Sequence, residues 1–162
     1  MTVVYNRIAL IGLGLIASSM FWSIRRGNLA QEVVGFAKSE KTRDTAKSIG
    51  LCDHVFNNLK DTVNDADLVV LCTPVGVMGE VVEQIAPYLK KGATLSDVGS
   101  VKRAVLDAVE PLMPQDVYFV PAHPLAGTEH SGPESGFSSL FENRWCILVP
   151  TTSSTPNAVE KL

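Results

Sequence analysis

The stretch Ile8-Ala9-Leu10-Ile11-Gly12-Leu13-Gly14-Leu15-Ile16-Ala17 constrains this chain more than any other. An apolar run stops at a glycine, and a helical apolar pattern starts after a second one. Such a segment reads as a buried strand that turns sharply into a helix. A helix entrance carries unpaired backbone N–H groups and the positive end of the helix dipole, so it receives phosphate well. Gly12 permits the tight turn, Gly14 lets the backbone approach a diphosphate, and Ala17 is small enough for the helix to pack on the strand. The bare spacing is a weak signal, because 12 glycines among 162 residues form loose matches by chance. The context is stronger: a strand before, a helix after, at the opening of the chain. The competing reading is an ordinary glycine turn between two core elements.

Strand-like and helix-like runs alternate along the rest of the chain. Residues 7–11, 32–37, 54–56, 68–73, 94–98, 118–122 and 145–149 read as strands. Residues 15–26 read as a helix ended near Gly27-Asn28, and Ser39 is placed as the N-cap of a polar helix that stops at Gly50. The run 68–73 is apolar throughout until Thr73, as in a parallel strand buried on both faces. Val77, Met78, Val81, Val82, Ile85 and Leu89 recur at helical steps, and Val101, Ala104, Val105, Ala108, Val109 and Leu112 repeat that pattern. Repeated β-α-β units predict an α/β fold, a doubly wound, mostly parallel Rossmann-type sheet with helices on both faces.

Ligands of such sheets bind beyond the carboxyl ends of the strands. The residues predicted there are Gly12, Gly14, Leu15, Ile16, Ala37, Lys38, Ser39, Thr73, Pro74 and Gly99, as candidates for holding a dinucleotide. Ser100 and His123 fall at the same edge. In NAD-binding units an acid at the end of the second strand takes the ribose 2′-hydroxyl. Here the only acid of that strand is Glu32, at its other end, and Lys38, Ser39, Lys41 and Arg43 occupy the corner. A cation and a hydroxyl there suit a 2′-phosphate. NADP is therefore allowed, and NAD is not excluded.

Composition narrows the function classes. With 46% hydrophobic and 19% charged residues the chain reads as a globular domain with a full core. A net charge of −3 argues against a nucleic-acid partner. The apolar run 8–20 is too short to span a bilayer. It also contains the glycine turn and lacks a clear cleavage site, so it is not read as a signal peptide, and no membrane partner is expected. Cys52, Cys72 and Cys146 lack metal-ligand spacing, and no metal site is expected. Cys72 and Cys146 lie in apolar runs and are expected to be buried thiols, as are Phe141 and Trp145 to be core residues; reduced thiols suit the cytoplasm. Residues 151–156 have linker composition, and 157–162 look like the start of a helix. The expected division is a domain over 1–150, then a linker and the beginning of a further domain over 151–162.

The segment His123-Pro124-Leu125-Ala126-Gly127-Thr128-Glu129-His130-Ser131-Gly132 is dense in polar and turn residues directly after an apolar run. Histidine is the side chain best suited to accept a proton near neutral pH. Upstream, Asp97-Val98-Gly99-Ser100-Val101-Lys102 sets a hydroxyl at another strand end, where it could instead serve as a helix N-cap. These two segments, with residues 12–17 and Phe141-Glu142-Asn143-Arg144-Trp145-Cys146-Ile147-Leu148-Val149-Pro150, resemble the prephenate and arogenate dehydrogenase family of tyrosine biosynthesis. The resemblance covers nearly all of residues 6–150.

That resemblance implies an oxidoreductase that decarboxylates prephenate to 4-hydroxyphenylpyruvate with hydride transfer to NAD or NADP, or arogenate to tyrosine. It implies that His123 takes the proton of the substrate ring hydroxyl and that Ser100 hydrogen-bonds the same hydroxyl and orients His123. Gly127, Thr128 and Glu129 would lie on the substrate side. Family members carry a second, helical domain that forms a homodimer and supplies cations for the substrate carboxylates. This chain stops before it, so residues 1–162 alone are expected to bind dinucleotide with little turnover. The alternatives are a β-hydroxyacid dehydrogenase, which would not need His123, and a non-enzymatic dinucleotide sensor, which needs neither His123 nor Ser100.

Overall fold

The structure is a computed structural model and describes residues 3–162. Six strands form one parallel sheet: β1 (Tyr5–Ile11), β2 (Ala30–Phe36), β3 (His54–Phe56), β4 (Leu68–Leu71), β5 (Thr94–Asp97) and β6 (Tyr118–Phe119). Their order is β3-β2-β1-β4-β5-β6, so the direction of winding reverses between β1 and β4. Right-handed crossovers from that point send the connecting helices to opposite faces. Helices α1 (Leu15–Gly27) and α2 (Glu40–Ser48) cover one face. Helices α3 (Leu59–Val63), α4 (Met78–Ile85) and α5 (Lys102–Val109) cover the other.

Alternation along the strands supplies both cores. Ala9, Ile11, Val69 and Leu71 pack with Met78, Val82, Val105 and Val109, while Ile8, Leu10 and Val70 pack with Ala17, Phe21 and Ala46. Neighbouring strand residues point to opposite faces, and both faces are covered, so the central stretches at 8–11 and 68–71 are apolar at every position. No helix among the described residues is long and apolar enough to cross a membrane.

Local signals account for the helix ends. Asn28 takes the left-handed conformation that ends α1, and its N–H bonds back to Arg25 and Ile24 carbonyls. Ser39 caps α2 by accepting from the Thr42 N–H at 3.4 Å. Helix α3 is not foreseen from the sequence: at five residues it is too short to show a helical period, although Asn58 caps it through the Asp61 N–H at 2.8 Å. Helices α4 and α5 are shorter than their apolar patterns suggest. Val77 is 39% and Val101 56% exposed, because both precede the first helical turn.

The run 118–122, expected as one strand, is two. The Val120 N–H still bonds Leu95 O at 2.9 Å, and Ser96 Oγ donates to Val120 O at 2.7 Å. Pro121 then has no N–H to extend the ladder. The chain leaves the sheet and forms β7 (Ala122–Pro124), antiparallel to β8 (Cys146–Leu148). The 145–149 run therefore belongs to a separate two-stranded ribbon. Trp145 is 81% exposed, contrary to the expectation of a core residue: it precedes β8 and borders an open cavity. Cys146 is exposed as well, since it faces an open cavity.

Residues 151–155 have linker composition, yet they dock on the sheet. The Thr151 and Ser154 hydroxyls donate to Phe119 O at 3.3 and 2.5 Å, satisfying the last carbonyl of β6. Thr155 caps α6 (Pro156–Lys161), whose Ala158 is buried, so packing is continuous across 150–151.

Candidate active site

The glycine turn sits at the switch point. Gly12 has φ +97°, and a Cβ there would lie 2.9 Å from Cys72 O, so the turn packs directly on the end of β4. Only glycine takes this conformation in this space. Gly14, at the N-cap of α1, is extended and has open space where a Cβ would stand. No side chain caps α1 and no acid lies in its first turn. The first-turn amides, including those of Leu15 and Ile16, have no intrahelical partner. The result is an open, electropositive helix entrance of the kind that takes phosphate oxygens.

Thr73 follows β4 at the same point, and its methyl is 3.1 Å from the place a Gly12 Cβ would occupy. Its Oγ1 is buried without a hydrogen-bond partner among the described residues. A buried hydroxyl is normally satisfied. An orphan beside the helix entrance is the observation that fits these residues to a bound dinucleotide, whose oxygens would accept from it. Pro74 is exposed next to it.

The corner at the end of β2 is basic. Ala37 is buried, while Lys38 and Ser39 are exposed. Arg43 Nη1 donates to Ala37 O at 2.9 Å and Lys38 O at 2.7 Å, which parks its guanidinium where NAD-specific units keep an acid. Glu32 stays at the far end of β2, 3.3 Å from Arg7 and 3.8 Å from His54.

Ser100 and His123 are brought to one region by a buried ion pair that the sequence reading did not single out. Asp97 ends β5 with its side chain fully buried, and it pairs with Lys102. The carboxylate also accepts from the Gly99 N–H at 2.7 Å and the Ala122 N–H at 3.3 Å. Lys102 Nζ donates to Ala122 O at 2.6 Å. One charge pair therefore fixes the backbone beside Ser100 and beside His123. The signal in the sequence is an acid closing a strand that is otherwise buried, five residues before a lysine. His123 is half-buried within β7, not at the carboxyl end of a parallel strand, because Pro121 ended that strand. Ser100 is exposed and is no cap: Val101 holds the N-cap of α5, without a side-chain bond. Among the described residues no hydrogen bond joins Ser100 to His123.

Gly127, Thr128 and Glu129 lie on an exposed loop after β7. Thr128 Oγ1 accepts from the His130 N–H at 3.2 Å, and Glu129 is 3.5 Å from His130 Nε2. A cavity of about 360 Å³ opens between α1 and the ribbon, over Ile8, Leu10 and Val70. Its floor is the apolar sheet face; neither the glycine turn nor His123 lines it, but Asp97, Ala122 and Pro124 do, so it reaches the buried ion pair that anchors the site. Burial, then the Asp53 charge, pushes the Cys52 thiol near the turn up to about 12, and burial, then Asp97, raises Cys72 as well.

The family described as prephenate dehydrogenase, nucleotide-binding domain, matches residues 22–162. The chain belongs to this family. A cyclohexadienyl dehydrogenase of Zymomonas mobilis is 42% identical over 156 residues, spanning 96% of this chain and 53% of that protein. The crystal structure of prephenate dehydrogenase from A. aeolicus, in complex with hydroxyphenyl propionate and NAD+, superposes with a TM-score of 0.86 at 27% identity, covering 96% of this chain and 54% of the other. The Synechocystis arogenate dehydrogenase structure also gives 0.86, at 29% identity, covering 95% of this chain and 53% of that one. The chain thus spans about half the length of the relatives it matches. The family match begins within α1, after the glycine turn, and includes Asp97, Lys102 and His123.

Proposed function

We propose that this chain binds a nicotinamide dinucleotide at the β1–α1 turn and carries the proton-accepting part of a prephenate dehydrogenase active site. The observation that carries the reading is the open helix entrance at Gly12–Gly14 beside the orphan Thr73 hydroxyl, at the edge where Asp97 and Lys102 anchor the backbone of Ser100 and His123. Gly12, Gly14, Leu15 and Ile16 would hold the diphosphate. Ala37, Lys38 and Ser39 would hold the adenosine ribose, and Thr73, Pro74 and Gly99 the part that reaches toward the substrate. The nicotinamide, when bound, supplies the hydride acceptor.

The chain's own residues govern the proton. His123 accepts it from the ring hydroxyl of prephenate, and Ser100 hydrogen-bonds that hydroxyl and orients His123. As the hydroxyl-bearing carbon gives up hydride its oxygen becomes a carbonyl, the ring carboxylate leaves as carbon dioxide, its bonding pair completes the aromatic ring, and the oxygen takes the proton back from His123 as the phenol of 4-hydroxyphenylpyruvate. Gly127, Thr128 and Glu129 border the substrate. A positioned base contributes about 10²–10⁴-fold, and holding donor and acceptor together supplies much of the rest. Arogenate is the second reading, since an arogenate dehydrogenase superposes equally well. The Arg43 guanidinium and the missing acid favour NADP over NAD. The same reading has the active protein as a cytoplasmic homodimer.

Titrating the chain with NAD+ and with NADP+ tests the first half: saturable binding of at least one is expected, with NADP+ the tighter. His123→Asn in the enzyme that contains this domain tests the second. The expected fall in kcat/KM is about 10²–10⁴-fold. An unchanged rate removes His123 as the base.

A further inference from the structure

The loop between β7 and β8 carries Gly127, Thr128 and Glu129, whose only side-chain hydrogen bond and ion pair among the described residues run to their own neighbour His130. The loop is fastened further along, on α1. A Cβ added to Gly136 would collide with Ser18 Oγ and meet Ser18 Cβ at 2.6 Å and the Ser19 N at 2.7 Å, so the backbone at 136 lies directly on the helix. Ser19 Oγ accepts from the Phe137 N–H at 3.1 Å. The single Ser23 hydroxyl proton is shared between Ser138 O at 3.0 Å and Ser19 O at 2.8 Å. Ser18 and Ser19 are fully buried under this contact.

Both hydroxyls serve backbone atoms of the loop, which sets its path whatever side chains residues 137 and 138 carry. At the other end Leu125 N–H bonds Trp145 O at 2.8 Å, beside the ribbon that holds His123. The stretch 126–132 is therefore strung between the ribbon and the turn at Pro133–Ser135, which packs on α1 and α2.

We infer that Gly136, Ser19 and Ser23 are positioning residues that tie the substrate-side loop to α1, so that filling the dinucleotide site orders residues 126–138. This rests on the dinucleotide reading above. Ligand that stiffens α1 reaches the loop through these contacts, and the ordering is seen as slower amide exchange.

Hydrogen exchange of the chain with and without saturating NAD+, and separately NADP+, tests the idea. Slower exchange is expected at residues 12–18 and also, by about threefold or more, at 126–138. Ser23→Ala should keep the response at 12–18 and lose most of that at 126–138, while Ser23→Thr, which retains the hydroxyl, should restore it. A merely structural serine would not separate the two segments in this way. Gly136→Ala should act like Ser23→Ala if it folds, and Ser23→Ala carries the test if it does not. Protection at 12–18 with none at 126–138 in the unaltered chain overturns the coupling alone. So does an undiminished loop response in Ser23→Ala. Protection at neither segment, with either dinucleotide, overturns the binding reading and the coupling with it.

Discussion

Replacing Lys102 by Met would leave the Asp97 carboxylate without its counter-charge in the protein interior. The side chains are 0% and 14% exposed for Asp97 and Lys102, so solvent screening offers little relief. Removing one partner of a buried pair costs about 3–5 kcal/mol. Asp97 keeps two amide donors, from Gly99 at 2.7 Å and Ala122 at 3.3 Å, which argues for the lower end of that range. The Lys102–Ala122 carbonyl bond at 2.6 Å is lost as well, adding about 1 kcal/mol. The expected total is about 4 kcal/mol. A domain has about 5–15 kcal/mol in all, so the variant should still fold. Asp97→Asn should cost about 3 kcal/mol, because its amide presents a donor where the carboxylate accepted. The double variant should be milder than the sum of the two by about 1–3 kcal/mol. Urea unfolding followed by circular dichroism measures each value from the midpoint, provided the slope is unchanged. A loss under about 1 kcal/mol for Lys102→Met, the range of an exposed pair, or strict additivity in the double variant, would refute the argument that this pair anchors residues 99 and 122.

Gly12→Ala should weaken dinucleotide binding by about tenfold or more, since φ +97° costs an alanine about 1–2 kcal/mol and its methyl meets Cys72 O at 2.9 Å; calorimetric titration checks it, and unchanged affinity would move the ligand elsewhere. Burial pushes the Asp67 carboxyl up, but Lys90 at 2.6 Å and the Arg7 and Asn6 amides outweigh it and hold its pKa below the ordinary value. Its contribution to stability is thus present above the unfolded pKa of about 3.9 and fades as pH falls through the lower folded value. Asp67→Asn should lose stability at neutral pH and converge with the unaltered chain in acid; a constant gap in Tm across that range would contradict this. Thiol labelling of the folded chain should modify Cys146 first, and Cys52 and Cys72 only on unfolding. Early reaction of Cys72 would mean that the end of β4 is not packed as described.

Much of the scaffold is legible in the sequence because its signals are local. The apolar runs at 8–11 and 68–71, the cap at Ser39 and the glycine turn each depend on a few adjacent residues, and the structure has them within a residue or two of the expected bounds. The run 118–122 misled because its hydrophobicity says nothing about where a ladder stops; Pro121 and the Ser96–Val120 bond decide that. Trp145 misled because residue type does not reveal whether any element covers it; here it borders an open cavity.

By itself the sequence determined the alternation of strands and helices, the doubly wound sheet, the glycine-lined helix entrance and the residue types gathered at the strand ends. Hydrophobic period and backbone preference act over a few residues and survive without knowledge of partners. Only the tertiary structure decided that His123 sits in a ribbon outside the sheet, that Asp97 and Lys102 tie its backbone to that of Ser100, and that α1 holds the loop beyond. Those facts depend on which distant groups meet once water is excluded, and the energy of a charge or a buried hydroxyl is set by the atoms around it.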